Sequence, residues 1–285
     1  MSLAQQTIGR MPFWGRAGVW LGIGLMCLWS LFPIYWMVVS SLRPPRDLFA
    51  PPRLIPERID WEFENYTTLL ELTDYAQQFR NSLLVAAVVV VVTLLLSIVI
   101  AYTVTRYRVR GKSAIVGGML YAYMFPPLLL AIPMLSIFAR MGLADNLLSV
   151  VLAHCTLTLP LGVWLFWGFF KGMPFDLEEA AMVDGCTRLG AFVRVVLPLS
   201  LPGIVTVAIF AFLLSWTDYV FSFVLVSSDS NKTLPVGLAS ILGTFDARWG
   251  EVMAGATLIA APLFVIFVFL SRYFIQGLAA GAVKG

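Results

Sequence analysis

The sequence predicts an all-α membrane protein with six transmembrane helices. Hydrophobic residues make up 60% of the 285 residues and charged residues only 12%, whereas soluble domains carry roughly 25% charged residues. The mean hydropathy of the chain is +0.87. A helix that crosses a bilayer needs about 20 mainly apolar residues. Six segments meet this requirement, and they lie at residues 17–39, 83–104, 114–138, 147–170, 204–226 and 252–274.

The first apolar segment is predicted to be a retained span. It is longer than the apolar core of a cleaved signal peptide, and it is rich in aromatic residues such as Trp20 and Trp36. The six spans form one membrane domain over residues 17–275, flanked by an N-terminal segment 1–16 and a C-terminal tail 276–285.

The positions of Lys and Arg predict that both termini are cytoplasmic, because cytoplasmic loops carry an excess of positive residues. With the N-terminus inside, eleven of the 19 Lys and Arg residues fall on the cytoplasmic side. The basic cluster Arg106–Lys112 directly follows the second span and is the strongest single anchor. This orientation places the loop 171–202 inside and the loop 43–80 outside.

The loop 43–80 is the longest outer connection. Its first part, 43–56, is too rich in proline for a helix and is predicted to be extended. Residues 65–79 are predicted to form a short helix on the membrane surface. Two roles remain open for this loop, a collar around a path through the membrane and a contact surface for a soluble protein outside.

The third span contains proline residues that predict a break in its helix. Pro126 and Pro127 stand near its middle and Pro133 follows. Broken helices at membrane depth are tolerated where the freed backbone groups face protein or a water-filled cavity. The span, including Tyr123, either lines a pathway through the membrane or is a kinked packing element.

The loop 171–202 is predicted to be an extramembrane helix–turn–helix. Pro174 and Asp176 can start its first helix, with Asp176 as an acidic cap for the N–H groups of the first turn. Gly185 can stop that helix in a left-handed conformation, and a second amphipathic run covers 189–197. Charges of both signs at this density do not belong in hydrocarbon. They are Asp176, Glu178, Glu179, Asp184, Arg188 and Arg194.

The first helix of this loop has a small apolar face, formed by Leu177, Ala180 and Ala181. Such a face suits close approach to a groove on another protein. An ordinary solvated loop is the alternative that pattern alone leaves open.

Seven residues of the loop stand at a fixed spacing: Glu179, Ala180, Ala181, Gly185, Val195, Leu197 and Pro198. This arrangement resembles the EAA loop of ATP-binding-cassette (ABC) importer permeases. The chain departs from the family at Val195, where Ile is usual, and at Cys186, where a small residue such as Ala is common.

In that family the EAA loop forms the coupling helix, which seats in a cleft of the ATP-hydrolysing subunit. The resemblance implies an ATPase contact by Leu177, Glu178, Glu179, Ala180, Ala181, Asp184 and Gly185. It also implies several partners: two ATP-binding subunits that hold ATP and Mg, a second homologous permease, and an extracytoplasmic solute-binding protein. The expected location is the cytoplasmic membrane of a bacterium or archaeon.

The sequence does not support catalysis or cofactor binding by this chain itself. It has no HExxH or GxSxG motif, and the spacing of its three cysteines indicates neither a disulfide nor a metal site. His154 has no carboxylate near it in the sequence, so we interpret it as a packing residue. The net charge of +3 is too small to indicate a nucleic-acid partner.

The fifth span carries the run Trp216-Thr217-Asp218-Tyr219. An acid at membrane depth is a functional candidate, and here Trp216 and Tyr219 can stack on a sugar while Thr217 and Asp218 bond its hydroxyls. The alternative is that Asp218 lies near the outer interface and pairs with an arginine outside. Related permeases often have aromatic-Asn-Asp at this place, so Thr217 is a departure.

The tail resembles the GLxxGxVKG ending of the permeases that import maltose and other carbohydrates, in which it reaches toward the ATPase. Its last residues here are Val283, Lys284 and Gly285. The resemblance implies half of a translocation pathway for a carbohydrate or related polyol, driven by ATP hydrolysis on a separate subunit. The alternative is an ion-coupled secondary transporter, which needs intramembrane carboxylates and usually an internal repeat; Asp218 alone offers little for that.

Overall fold

The structure, a computed structural model, describes residues 13–44, 63–243 and 248–282, with side chains from residue 14 through residue 270. Most of the N-terminal segment 1–16, most of the extended stretch 43–56 and the tail residues 283–285 therefore lie outside the described residues. Within the described ranges the regular structure is entirely helical.

Besides a short 3₁₀-helix at Asp229–Asn231, twelve helices run through the described residues. They are α1 Phe13–Ser41, α2 Glu64–Leu72, α3 Tyr75–Arg106, α4 Lys112–Tyr123, α5 Pro127–Arg140, α6 Leu147–Gly172, α7 Asp176–Val183, α8 Arg188–Leu199, α9 Leu201–Trp216, α10 Val220–Leu225, α11 Leu234–Leu242 and α12 Trp249–Ala282. The middle of α8, Phe192–Val196, is π-helical.

Four helices, α1, α3, α6 and α12, are long and apolar enough to cross a membrane. Two further candidates are bent pairs: α4 and α5 meet at 94°, and α8 and α9 meet at 71°. The described chain therefore has four continuous spans, or up to six if each bent pair counts as one. This agrees with the predicted all-α membrane fold.

The predicted break in the third span is confirmed. Helix α4 ends at Tyr123 and α5 begins at Pro127, with Pro126 extended between them (φ −60°, ψ 125°). Proline lacks an N–H donor and pushes the preceding residue out of helical conformation, so the paired prolines end one helix and start another. Pro133 is accommodated inside α5.

The fifth span differs from the prediction. Helix α9 ends at Trp216 and the chain resumes helical structure at Val220, so a continuous helix over 204–226 is wrong. Asp218 explains the restart. Its carboxylate accepts hydrogen bonds from the backbone N–H groups of Phe221 (3.4 Å) and Ser222 (3.0 Å), which are among the first N–H groups of α10.

A single surface helix over 65–79 is also wrong. Helix α2 ends at Leu72, and after a two-residue break α3 begins at Tyr75 and continues for 32 residues. The Thr73 hydroxyl accepts a hydrogen bond from the Tyr75 backbone N–H (3.3 Å), which satisfies one unpaired donor at the start of α3. The second span therefore begins well before the predicted residue 83.

The described chain divides into two compact units. Of the described residues, the larger comprises 73–243 and 259–282, and the smaller comprises 13–44, 63–72 and 248–258. In the larger unit, α3 and α6 pack along each other and α9 packs against both.

The seam between α3 and α6 contains small and hydroxyl-bearing residues. The buried hydroxyls of Thr93 and Thr158 are 2.7 Å apart and share a hydrogen bond. A Cβ at Gly162 would lie 3.1 Å from Ser97 and Thr93, so only glycine lets the two backbones come this close without displacing a neighbour.

Two loops of the larger unit are joined by Asp145, which has a positive φ of 50°. Its carboxylate accepts hydrogen bonds from the backbone N–H groups of Ser227 (2.9 Å) and Ser228 (3.1 Å). Partial burial alone would raise the pKa of Asp145, but these donors outweigh it and hold the pKa below its usual value.

In the smaller unit, Asn65 holds the end of α1. Its side-chain amide donates to the carbonyls of Ser41 (2.9 Å) and Arg43 (2.7 Å), and Tyr66 shares a hydrogen bond with the Ser41 hydroxyl (2.7 Å). The first turn of α12 lies directly against Asn65, because a Cβ built at Gly250 would collide with its amide.

We expect Gly250→Ala to lower the apparent melting temperature of the detergent-solubilised protein, since Asn65 is held by two carbonyls and cannot move aside. Gly118→Ala in α4 is the matched control, because open space surrounds Gly118. Alanine in a helix interior is otherwise favoured over glycine by about 0.5–1 kcal/mol, so the control should be neutral or stabilised. Equal shifts for both variants would show that Asn65 yields to a methyl group.

Candidate functional site

Helix α7, Asp176–Val183, is the first helix of the predicted helix–turn–helix. The prediction that Asp176 caps it is wrong in detail. Phe175 occupies the N-cap position and no side chain caps the helix. Asp176, Glu178 and Glu179 instead stand in the first turn, where negative charge is favoured by the helix dipole.

The predicted left-handed stop at Gly185 is confirmed by its φ of +90°. The Gly185 N–H donates to the carbonyl of Met182 (3.1 Å) and the Cys186 N–H to that of Ala181 (3.0 Å). This pair of bonds is a Schellman motif, which satisfies the last carbonyls of the helix and requires a residue that tolerates positive φ.

One side of α7 is open to solvent. Leu177 is 40% exposed and Val183 is 86% exposed, and Glu179, Ala180 and Asp184 are exposed as well. We call these five residues the exposed face of α7. Of the other predicted contact residues, Gly185 is exposed and Ala181 is half-buried.

Glu178 is the exception among the predicted contact residues, because it points into its own chain. The residue is 8% exposed. Its Oε1 lies 2.5 Å from Nε of Arg106 at the end of α3, and its Oε2 accepts a hydrogen bond from the Tyr102 hydroxyl (2.6 Å). Both carboxylate oxygens thus have partners within the chain. This contradicts the expectation that Glu178 points outward to contact the ATPase.

Arg106 connects three elements. Besides Glu178, its guanidinium donates to the carbonyls of Phe170 (3.4 Å) and Met173 (3.2 Å) at the end of α6, and it lies 4.2 Å from the centre of the Phe175 ring. Its side chain is only 5% exposed. Sequence reasoning treated Arg106 as a membrane-surface anchor and missed this role.

Tyr102 extends the same cluster to α8. Its ring lies 4.6 Å from that of Phe192, in the π-helical turn, and 6.0 Å from that of Phe170. The spacing of Tyr102 and Arg106, four residues apart on a helix, places both side chains on one face. That spacing was the signal available in the sequence.

Trp216 does not stand where a sugar can reach it. Its side chain is fully buried, its Nε1 donates to the carbonyl of Ile259 (3.0 Å), and its ring packs against those of Phe79 and Phe212. A fully buried indole has no surface for stacking, so the prediction that Trp216 stacks on a sugar is wrong.

Asp218 is engaged by its own chain as well. Its Oδ2 lies 3.0 Å from Nε2 of His154, accepts from the backbone N–H of Ser222, and lies 3.2 Å from its hydroxyl. The Nδ1 of His154 is 2.8 Å from the hydroxyl of Ser215. No carboxylate stands near His154 in the sequence, but Asp218 reaches it from a distant part of the chain. The buried, hydrogen-bonded His154 agrees with its interpretation as a packing residue, and Asp218 pairs with histidine rather than with an outer arginine.

The remaining predicted path residues are accessible. Thr217 is exposed and Tyr219 is 40% exposed, with its ring stacked on that of Phe223 at 5.2 Å. Tyr123 is half-buried at the end of α4, beside the break in the third span. The predicted tail contacts, Val283–Gly285, lie outside the described residues. Where the structure describes the chain, no His, Cys, Asp and Glu residues cluster as metal ligands do.

Comparison with known proteins identifies the family of the chain. The family of binding-protein-dependent transport system inner membrane components matches residues 93–280, which include α7, the turn at Gly185 and α8. The chain belongs to this family. It is a permease component of ABC importers, and the comparisons give no support to an ion-coupled secondary transporter.

Relatives of this permease match it over nearly its full length. The inner membrane ABC transporter permease protein YcjP of Escherichia coli is 34% identical, covering 95% of this chain and 97% of the relative. The diacetylchitobiose uptake system permease DasC of Streptomyces coelicolor is 33% identical (94% and 97%). The trehalose transport system permease SugB of Mycobacterium tuberculosis is 32% identical (95% and 98%).

The fold of the permease also matches solved structures. A chain in the crystal structure of a bacterial ABC transporter involved in alginate import superposes with a TM-score of 0.78 at 20% identity, covering 96% of this permease and 99% of that chain. A second alginate transporter structure, in complex with a pentasaccharide-bound periplasmic protein, gives a TM-score of 0.64 at 14% identity, covering 90% and 94%. At these identities the likeness shows the fold alone.

We expect Asp218→Ala to destabilise the permease, because the buried donors around Asp218 lose their acceptor. An unsatisfied buried hydrogen-bonding group costs about 1–3 kcal/mol, so the apparent melting temperature in detergent should fall clearly. Thr217→Ala is the matched control, since its exposed hydroxyl bonds only the preceding turn of its own helix. A fully stable Asp218→Ala protein that has lost transport would instead support direct substrate contact.

Proposed function

We propose that this permease couples ATP hydrolysis on separate subunits to solute import through the exposed face of α7. The observation that carries the proposal is that α7 is open to solvent on one side and fixed to its own chain on the other by Glu178. A helix held in this way can enter a groove of another protein and keep its orientation there.

The chemistry of the exposed face suits such a contact. Ala180 has a small side chain that allows close approach, Leu177 adds apolar surface, and Glu179 can pair with a cation on the ATPase. The Schellman turn at Gly185 ends the helix sharply, so the exposed face stays short and defined. Closure of the ATPases around ATP and Mg would then displace α7 as a rigid body.

The partners we propose follow from this role: two ATP-binding subunits, a second homologous permease and an extracytoplasmic solute-binding protein. Helix α1 has large apolar side chains exposed along its length, including Trp20 (64%) and Trp29 (84%), which suits lipid or another membrane subunit. A periplasmic protein is present in one of the similar structures. In this assembly the termini and α7 face the cytoplasm, and the tail residues 283–285 approach the ATPase.

For the substrate we propose a carbohydrate or a related polyol. Relatives that match nearly the whole chain are named as diacetylchitobiose and trehalose permeases. The exposed aromatic pair of Tyr219 and Phe223 stands beside the break between α9 and α10. Aromatic rings of this kind can pack against the apolar face of a sugar, and Thr217 supplies a hydroxyl next to them.

We expect an ATP-binding subunit to co-purify with the tagged permease in mild detergent. Substitution Glu179→Gln should weaken this association, because it removes the charge that can pair with a cation on the ATPase. Loss of about 1.4 kcal/mol from the interface would lower the affinity tenfold. Gly185→Asp should leave the permease inserted but uncouple transport from ATP turnover, since the new residue is strained at this φ. The measurement is ATPase activity of the eluate alongside solute uptake.

The matched control for this pull-down is Glu64→Gln, which removes an exposed carboxylate from α2 and should leave co-purification unchanged. Full transport by Gly185→Asp would count against the coupling role of the turn. Elution of the wild-type permease as a single chain that still transports in liposomes would refute the proposed function and restore the secondary-transporter hypothesis.

Cells that produce the whole importer should accumulate radiolabelled carbohydrates, tested with trehalose, maltose and diacetylchitobiose, but not amino acids or peptides. Tyr219→Ala should reduce this uptake without lowering the apparent melting temperature, because the ring is exposed. Leu213→Ala, at an exposed apolar residue of α9 (38%), serves as the control. Uptake confined to amino acids would rule out the carbohydrate assignment while leaving the coupling role intact.

A further inference from the structure

We infer that the buried Arg106–Glu178 ion pair is the joint through which movement of α7 reaches α3. The inference rests on the proposed coupling role of α7, and it assigns Arg106, Glu178 and Tyr102 as positioning residues for energy transfer. Glu178 and Glu179 are adjacent in sequence, yet one is held inside the chain and the other is exposed. We therefore separate the function of joining α7 to the spans from that of contacting the ATPase.

The joint is stiff because both charged groups are buried and hydrogen-bonded within the chain. The side chains of Arg106 and Glu178 are 5% and 10% exposed, and their closest atoms are 2.5 Å apart. Charge-assisted hydrogen bonds are short and strong. They are stronger at a buried site than in water, because the effective dielectric constant is lower there. Tyr102 occupies the second carboxylate oxygen, so the carboxylate cannot rotate without losing a partner.

Arg106 is itself fixed from a second direction. Its terminal nitrogens donate to the carbonyls of Phe170 and Met173, which end α6 and begin the loop to α7. The Phe175 ring covers the guanidinium just before α7 begins. A displacement of α7 therefore acts on the ends of α3 and α6 together, rather than only along the loop that leads to α9.

Helix α3 can carry that displacement to the other end of the larger unit. Between Asn81 and Arg106 the helix is about 38 Å long at 1.5 Å per residue. Near its start, the Asn81 side-chain amide donates to the carbonyls of Ser230 (2.8 Å) and Lys232 (2.9 Å), in the loop before α11. One helix thus joins the coupling region at one end to a distant loop at the other.

Spin-label distance measurement on the assembled importer in nanodiscs tests the joint. One label is placed on the native Cys186, just after α7, and the other on Leu95→Cys, an exposed position of α3 (64%), with Cys27 and Cys155 replaced. Distances are recorded without nucleotide and with Mg and a non-hydrolysable ATP analogue. A rigid joint predicts the same distance in both states of the parent protein.

In Glu178→Gln we expect a nucleotide-dependent shift and a broader distance distribution, because α7 then moves without α3. Tyr102→Phe retains both charges and should give a smaller shift of the same kind. Arg110→Gln removes an exposed charge from the loop that follows α3 and is the matched control, expected to behave like the parent. Solute import per ATP hydrolysed should fall about tenfold in Glu178→Gln, which corresponds to about 1.4 kcal/mol.

A parent protein whose label distance changes with nucleotide would overturn the inference, as would a Glu178→Gln protein with unchanged distance and import. If Glu178→Gln does not assemble, Tyr102→Phe decides: distances identical to the parent refute the joint, and a shift supports it. Absence of any ATPase subunit from the parent complex would instead refute the proposed function, so the two failures are distinguishable.

Discussion

The buried ion pair between Arg106 and Glu178 is the contact on which the arrangement of this permease most depends. Two opposite charges removed from water are costly unless each is paired and hydrogen-bonded, and here every polar atom of the Glu178 carboxylate has a partner. The pair orients α7, so the exposed carboxylate of Glu179 and the apolar Leu177 face outward as a consequence. The accessible face of the helix is thus determined from its buried side.

Interruptions of the helices have a comparable importance. The paired prolines before α5 and the carboxylate of Asp218 before α10 each end one helix and start the next at a defined position. Both breaks lie in segments that a hydropathy profile reads as single spans. At the second break, the side chains of Thr217 and Tyr219 are exposed.

The sequence was sufficient for the fold class, the break at Pro126 and the turn at Gly185, because composition, proline and glycine act locally. It was insufficient where a distant residue decides. The burial of Trp216 depends on Phe79, Phe212 and the backbone of Ile259, none of which its neighbours in the chain reveal. The pairing of His154 with Asp218 likewise joins residues 64 positions apart in the sequence, and no local pattern specifies it.

The seam between α3 and α6 has a consequence for biogenesis. In a bilayer the hydrophobic effect does not drive helices together, because lipid tails are as apolar as leucine. The shared hydrogen bond of Thr93 and Thr158 and the close fit of Gly162 therefore provide the recognition between two helices that enter the membrane at different times during synthesis. Helix α3 is synthesised before α6. After its last residue, Arg106, the ribosome must add some fifty further residues before Thr158 is available and the two helices can pack in their final register.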